Sequence, residues 1–181
     1  MFARTKRLTL RPGWPEDAPA LAQAIAHEPV AAMLARVPWP YGVADAEAFL
    51  AMPRGPHEPN FLIETMENGV PRLVGGIELM RSGDAHELGY WLTPDAWGRG
   101  YATEAGHAVL HIARHGLGLR KLVSSHALDN PASGRVLRKL GFREVGRAAR
   151  HSVARGRDMP CALLECALDA DDDRPVMQIA A

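Results

Sequence analysis

Cysteine is scarce: only Cys161 and Cys166 occur in 181 residues. That excludes a disulfide framework and any Cys-rich zinc pattern. On one strand the two would point to opposite faces and could not bridge to each other. Net charge is also missing, with 21 Lys+Arg against 21 Asp+Glu. No bulk field therefore favours nucleic acid or a membrane surface. No apolar run approaches the length of a membrane span. The basic start Met1–Arg7 is not followed by the apolar segment of a secretory signal, so a cytoplasmic location is expected. Repeats and low-complexity linkers are absent. With 47% hydrophobic and 23% charged residues, a single globular domain over 1–181 is expected, its core at about 5–168 and a tail at 169–181.

The patterning places elements along this core. Leu8–Leu10 alternates as a first strand, and the Ala-rich stretch 14–35 has helical period interrupted at Pro29. Residues 37–42 hold two prolines and cannot form regular helix. Asp45 is expected to cap a short helix to Met52. Strands follow at 61–65 and 72–80, joined by a turn at Glu67–Gly69, and at 87–92. A helix is expected over 103–115, stopped by Gly116 and Gly118. Lys121–His126 reads as a buried strand, and Asn130–Pro131 opens a helix ending at Leu140–Gly141. Two last strands fall at about 144–154 and 161–168. The order of hairpins, then strand–helix–strand–helix, predicts an α+β fold: a mixed, mostly antiparallel sheet flanked by helices.

Between the strand at 87–92 and the next helix lies Trp97-Gly98-Arg99-Gly100-Tyr101-Ala102-Thr103-Glu104-Ala105. A glycine loop at a helix start presents backbone N–H groups that lack intrahelical partners, where the helix dipole favours negative charge. This is a phosphate cradle made without cationic side chains. No Gly-Lys-Ser/Thr follows, so it is not a P-loop. Arg120 and Lys121 stand where a dinucleotide fold would put a ribose-binding acid. The run resembles the pyrophosphate loop of the GNAT superfamily of acyl-CoA N-acyltransferases, and its wording looks like the ribosomal-protein N-terminal acetyltransferase (RimJ/RimL-type) branch. Gly100 and Ala102 match the end of the family pattern, whereas Trp97 occupies its Gln/Arg position. The resemblance implies acetyl-CoA as co-substrate, bound by Leu92, Thr93, Trp97, Gly98, Arg99, Gly100, Tyr101, Ala102 and Thr103. It also implies that the strands 87–92 and 121–126 splay apart to admit the pantetheine.

Asn130-Pro-Ala-Ser133 with Gly141-Phe142 resembles the family's second motif, which lies along the pantetheine and acetyl group. Asn130 and Ser133 are accordingly expected to bind cofactor, and Asn130 is equally suited to an N-cap. The tyrosine that protonates the CoA thiolate in many relatives is replaced here, by spacing, with Leu137. Ser133, a water or a tyrosine from elsewhere must then serve, or the thiolate leaves unassisted. By the same resemblance, a backbone N–H near Leu92 points at the thioester oxygen. Glu87 is the first candidate for general base, sharing a strand face with Gly89 and Trp91. Glu78, on the opposite face from Ile77 and Leu79, is the reserve, and Glu64 ranks below it.

Trp39 and Tyr41 are candidates for lining the acceptor site, since the resemblance places this loop beside it. Tyr90 and Trp91 read as sheet packing. His107, His111 and His115 share a helix face without an accompanying acid, so a solvated stripe is favoured over a metal site. The expected activity is acetyl transfer from acetyl-CoA to a primary amine in a ternary complex. The acceptor is a protein N-terminal amine or a small-molecule amine (polyamine, amino acid or aminoglycoside). A non-catalytic acyl-CoA sensor is the alternative. No nucleic acid, membrane or metal is expected. The apolar run 175–179 suits packing on a second copy.

Overall fold

The computed structural model describes residues 1–168, so the expectations for the tail lie outside the described residues. Eight strands form one sheet in the order β1-β2-β3-β4-β5-β6-β8-β7. They are β1 (Ala3–Arg4), β2 (Leu8–Arg11), β3 (Asn60–Glu67), β4 (Val70–Ser82), β5 (Ala85–Leu92), β6 (Lys121–Ala127), β7 (Arg143–Ser152) and β8 (Arg157–Ala167). Every pairing is antiparallel except β5 with β6. The β3–β4 turn sits at Asn68-Gly69, both at positive φ, as a two-residue hairpin with strand-matched twist requires.

Among the described residues five α-helices accompany the sheet: α1 (Ala18–Ile25), α2 (Glu28–Ala31), α3 (Val43–Leu50), α4 (Tyr101–His111) and α5 (Pro131–Lys139). The helical stretch expected over 14–35 is broken in two at Ala26-His27, because Pro29 takes an N-terminal position of α2, where its missing N–H is harmless. Asp45 is not the N-cap of α3. Gly42 is, and Asp45 stands three residues on, its carboxylate accepting the Gly42 N–H at 2.8 Å. Helix α4 begins at Tyr101, two residues earlier than expected, and passes into a π turn at Ile112–Gly116.

The sheet's two faces carry different layers. On one face Ile77, Leu79, Leu88 and Leu122 pack with Ala105, Ala108 and Val109 of α4 and Leu137 of α5. Gly106 lets α5's end come close: a Cβ there would stand 2.5 Å from Leu140 Cδ1. On the other face α1 and α3 pack through Leu21, Ala22 and Ala46 onto Leu62. Arg11 ties this layer to the sheet, pairing with Asp17 at 2.7 Å and Glu64 at 2.7 Å. Glu64 is therefore committed to structure. The cysteines are free and lie on opposite faces of β8, Cys166 in the main core and Cys161 beside Met159 and Ala127.

Residue Val74 is an extra residue in β4, inserted where Ile63 faces Gly75 and Glu64 faces Leu73. A Cβ on Gly75 would meet the Trp91 carbonyl oxygen at 2.3 Å. Backbone cannot yield as a side chain does, so Gly75→Ala is expected to destabilise the protein by about 1–3 kcal/mol. Urea unfolding followed by circular dichroism checks this, and an unchanged midpoint would show that the β4–β5 pair tolerates spreading.

Candidate functional site

The parallel pair β5–β6 is joined at only two rungs, His86↔Leu122 and Glu87↔Val123. Past Glu87 the strands part, as the resemblance implied, although an additional short first strand makes them the fifth and sixth here. Side chains replace the lost ladder. Ser124 Oγ donates to the Leu88 carbonyl at 2.8 Å, and Ser125 Oγ donates to Glu87 Oε1 at 3.0 Å. Thr93 N–H is bonded to Val74 of β4 at 2.9 Å. Strand alternation therefore turns the backbone N–H groups of Leu92 and Tyr90 the other way, into the gap. A cavity of about 970 Å³ runs through this fork, from the glycine loop and α5 to the side covered by α1–α3.

The loop at one end of the cavity has the form of an anion cradle. Gly98 and Gly100 have φ of +74° and +80°, values at which a side chain is strained. Gly100 is the N-cap of α4, and the first intrahelical bond there is Glu104 N–H to Gly100 O at 3.0 Å. The N–H groups of Tyr101, Ala102 and Thr103 thus point out of the helix end. A brace holds the loop from behind. Glu104 accepts from Thr5 Oγ1 at 2.6 Å and Arg7 N–H at 2.9 Å, and Arg7 Nη1 donates to the Arg99 carbonyl at 3.0 Å. Trp97 does not offer a Gln/Arg-like polar group to a ligand, because its indole N–H donates to Leu92 O at 2.9 Å. Trp97, Gly98, Gly100, Tyr101, Ala102 and Thr103 reach the cavity wall along with Leu92. Thr93 and Arg99 lie outside it.

At the N-terminus of α5 Asn130 is the cap, its side-chain oxygen accepting the Ser133 N–H at 3.2 Å. Both residues line the cavity. Tyr90, which reads from sequence as sheet packing, reaches across the gap to the same helix. Its hydroxyl lies 2.7 Å from Ser133 Oγ and 3.1 Å from the Ser133 carbonyl. Burial pushes this phenol up to about 12, partly offset by the Ser133 hydrogen bond. The phenol thus stays protonated at neutral pH and holds the Ser133 hydroxyl in place. The strand's alternation signalled only that Tyr90 shares a face with Leu88 and Leu92. Leu137 is fully buried in the main core. His126 packs on α5 close to Gly134, where a Cβ would stand 2.6 Å from its Nε2.

The two carboxylates expected near the reacting amine lie on one sheet face, since Glu78 pairs with Gly89 and Glu87 with Met80. Neither is free. Arg150 Nη1 contacts both Glu87 oxygens, at 2.9 and 3.0 Å, while Ser125 donates to one. Arg36 donates to Glu78 Oε1 at 3.1 Å and Arg54 to Oε2 at 2.8 Å. Tyr41 lines the cavity, whereas Trp39, in a loop with a cis Trp39–Pro40 bond, is outside its wall.

This fork, cradle and helix cap agree with comparison to known proteins. Residues 7–143 match the family described as "Acetyltransferase (GNAT) domain". The chain belongs to the GNAT acetyltransferase family. It is 28% identical over 104 residues to "Uncharacterized N-acetyltransferase YnaD" of Bacillus subtilis (strain 168), a match covering 56% of this chain and 60% of that protein. Among solved structures, RimL, the ribosomal L7/L12 alpha-N-protein acetyltransferase in complex with coenzyme A, superposes with a TM-score of 0.78 at 22% identity, covering 94% of this chain and all (100%) of that one. Spermidine N-acetyltransferase from Vibrio cholerae, in complex with CoA and spermine, gives 0.75 at 20% identity, covering 91% and 97%. At these identities the structural likenesses establish the GNAT fold. Among the described residues no helix is long and apolar enough to cross a membrane.

The cradle makes a direct prediction. Gly100→Val forces a branched side chain into positive φ and beside the converging N–H groups, so CoA affinity is expected to fall at least about tenfold. Calorimetric titration with CoA measures it. Wild-type affinity in a variant with an unaltered circular dichroism spectrum would show that phosphate does not sit there.

Proposed function

We propose that this GNAT chain transfers the acetyl group of acetyl-CoA to an α-amine, as in the ribosomal-protein N-terminal acetyltransferase branch that its glycine loop resembles. The residues fit the co-substrate. The outward N–H groups of Tyr101–Thr103 suit a pyrophosphate, the open fork suits an extended pantetheine, and the Leu92 N–H suits a thioester oxygen. When bound, acetyl-CoA supplies an acetyl group activated as a thioester. Asn130 and the first turn of α5 hold the thiol end, and the Ser133 hydroxyl, fixed by Tyr90, donates a hydrogen bond to the departing sulfur. The cavity's opposite end admits the amine in line with the thioester, and such positioning can supply much of the rate.

The observation that carries the choice of acceptor is the state of the carboxylates. Arginines already hold both Glu87 and Glu78, so each carboxylate is charge-matched before an amine arrives. An α-amine, with pKa about 7.7–8, is appreciably neutral near neutrality, whereas an alkyl amine near 10.4 needs roughly three orders of magnitude more assistance. Glu87 acts in this reading as a positioning residue at the fork, with water carrying the amine's proton away.

Thiol release from acetyl-CoA, measured with peptide α-amines and with alkyl amines, tests the function. Log kcat/KM for the α-amine is expected to rise with pH and flatten above about pH 8, as the amine loses its proton. Glu87→Gln should leave the shape of that profile unchanged, because no ionisation of Glu87 is being read. Loss of an ionisation in the variant's profile would restore Glu87 as the base. Binding of CoA with no amine-dependent release would instead mark the chain as a non-catalytic acyl-CoA sensor. In the same assay Ser133→Ala is expected to lower kcat by about tenfold with little change in melting temperature. Equal turnover would leave Ser133 as a first-turn helix residue.

A further inference from the structure

The acceptor end of the cavity is richer in guanidinium than in carboxylate. Arg36, Arg54 and Arg150 face it together with Glu78 and Glu87. Asp45, a further acid on the wall, is engaged by the Gly42 N–H, and Arg81 adds another cation. Each guanidinium presents five N–H donors in a rigid fork. The carboxylates engage one terminal nitrogen of each: Nη2 of Arg36, Nη1 of Arg54 and Nη1 of Arg150. Arg54 is held further by its position over the Phe49 ring, 5.0 Å from the centroid. Its Nη2 is sealed from solvent and has no hydrogen-bond partner among the described residues, so the donors within a ligand's reach are those of Arg36 and the remaining ones of Arg54 and Arg150. An anionic acceptor atom matches such donors. Gly89, between Glu78 and Met80 on this face, adds no side chain to fill the space.

Resting on the acetyltransferase reading, we propose that the acceptor is an amine that carries a carboxylate close by, and that Arg36 and Arg54 select it. A polyamine is the wrong partner for this wall. Its second cation would meet carboxylates already neutralised and would lie among guanidinium groups, a like-charge juxtaposition that disfavours binding. A carboxylate-bearing amine instead meets fixed donors, and its amine stays near the Leu92 end of the fork. The shared chemistry, amine plus carboxylate, belongs both to a free amino acid and to a protein N-terminus with an acidic first residue.

The test compares matched acceptors at equal concentrations of neutral amine, reading thiol release. One pair is a peptide amide starting Glu-Ala against the same peptide starting Gln-Ala. The other is alanine against alaninamide, and spermidine is run beside them. The anionic member of at least one pair is expected to show kcat/KM at least about tenfold higher, with spermidine the poorest acceptor. The pair that shows the preference identifies the source, acidic N-terminus or free amino acid. In Arg36→Gln and Arg54→Gln the acid-over-amide ratio is expected to fall about tenfold. Arg36 is largely exposed, with side-chain accessibility of 64%, so that variant remains informative if Arg54→Gln fails to fold. Ratios near one in both pairs, a preference for spermidine, or an unchanged ratio in Arg36→Gln would overturn the proposal. Turnover without acid preference sinks this proposal alone. A protein that neither binds CoA in calorimetry nor releases thiol with any amine sinks the acetyltransferase reading as well.

Discussion

The two-rung pairing of β5 with β6 is the constraint on which the rest of this molecule depends. Strands that stayed paired would satisfy their backbone groups with each other and leave no cleft. Strands that never met would lose the connection between the two halves of the sheet. Here the pair closes at His86 and Glu87 and then stops. The change is enforced by side chains placed at the branch point. Ser124 satisfies the Leu88 carbonyl, Ser125 and Arg150 hold Glu87, and Tyr90 leans across to α5. Of these contacts, Ser124 supplies the Leu88 carbonyl with a partner that ladder hydrogen bonding would otherwise have supplied, and the others tie side chains across the branch point. Leu92, further along, has its carbonyl taken by Trp97 and its N–H directed inward. The cleft is thus a gap in the sheet whose border keeps the geometry of a strand edge.

The same branch point explains why a carboxylate on the catalytic face is not automatically a base. Glu87 is at the last closed rung, where a mobile acid would let the fork slide. Arg150 reaches it from β7, beyond both β6 and β8 in the sheet order, and so ties the C-terminal hairpin to β5. The guanidinium groups of Arg36, Arg54 and Arg150 on the cavity wall thus serve the fold first, by holding Glu78 and Glu87.

Much of the fold was legible from residue order. The hairpin at Asn68-Gly69, the glycine stop after α4 and the Asn-Pro opening of α5 are local backbone demands, and local demands are written in short stretches of sequence. The glycine loop was legible for the same reason, since positive φ at Gly98 and Gly100 is a property of those residues themselves. What could not be read was pairing between distant side chains. Nothing near Glu87 in sequence announces Arg150, and nothing near Tyr90 announces Ser133, 43 positions away. The role of Trp97 was hidden likewise, because an indole N–H takes whatever acceptor the tertiary fold provides. Strand alternation placed Glu87 and Glu78 on sheet faces correctly but gave no information on whether their charges were already matched.

The N-terminal strands show how far the cofactor end depends on distant chain. The outward N–H groups of α4 are useful only if the loop before them keeps its shape, and both glycines there are free to adopt other conformations. Thr5 and Arg7, in the turn between β1 and β2, supply the missing rigidity through Glu104 in the first turns of α4, while Arg7 also lies over the Tyr101 ring at 4.7 Å. Glu104 has its carboxyl held below the usual range by hydrogen bonds from Thr5 and Arg7, which outweigh the raising effect of its burial. It thus remains ionised at neutral pH, and its charge near the helix N-terminus is favourable to the helix dipole. The same charge would repel a phosphate, unless a cation neutralised it, and Arg7 does so at 2.6 Å. The brace therefore separates two requirements that a bare glycine loop would set against each other: a helix start that is stabilised before ligand arrives, and a pocket of N–H groups left unshielded for the anion.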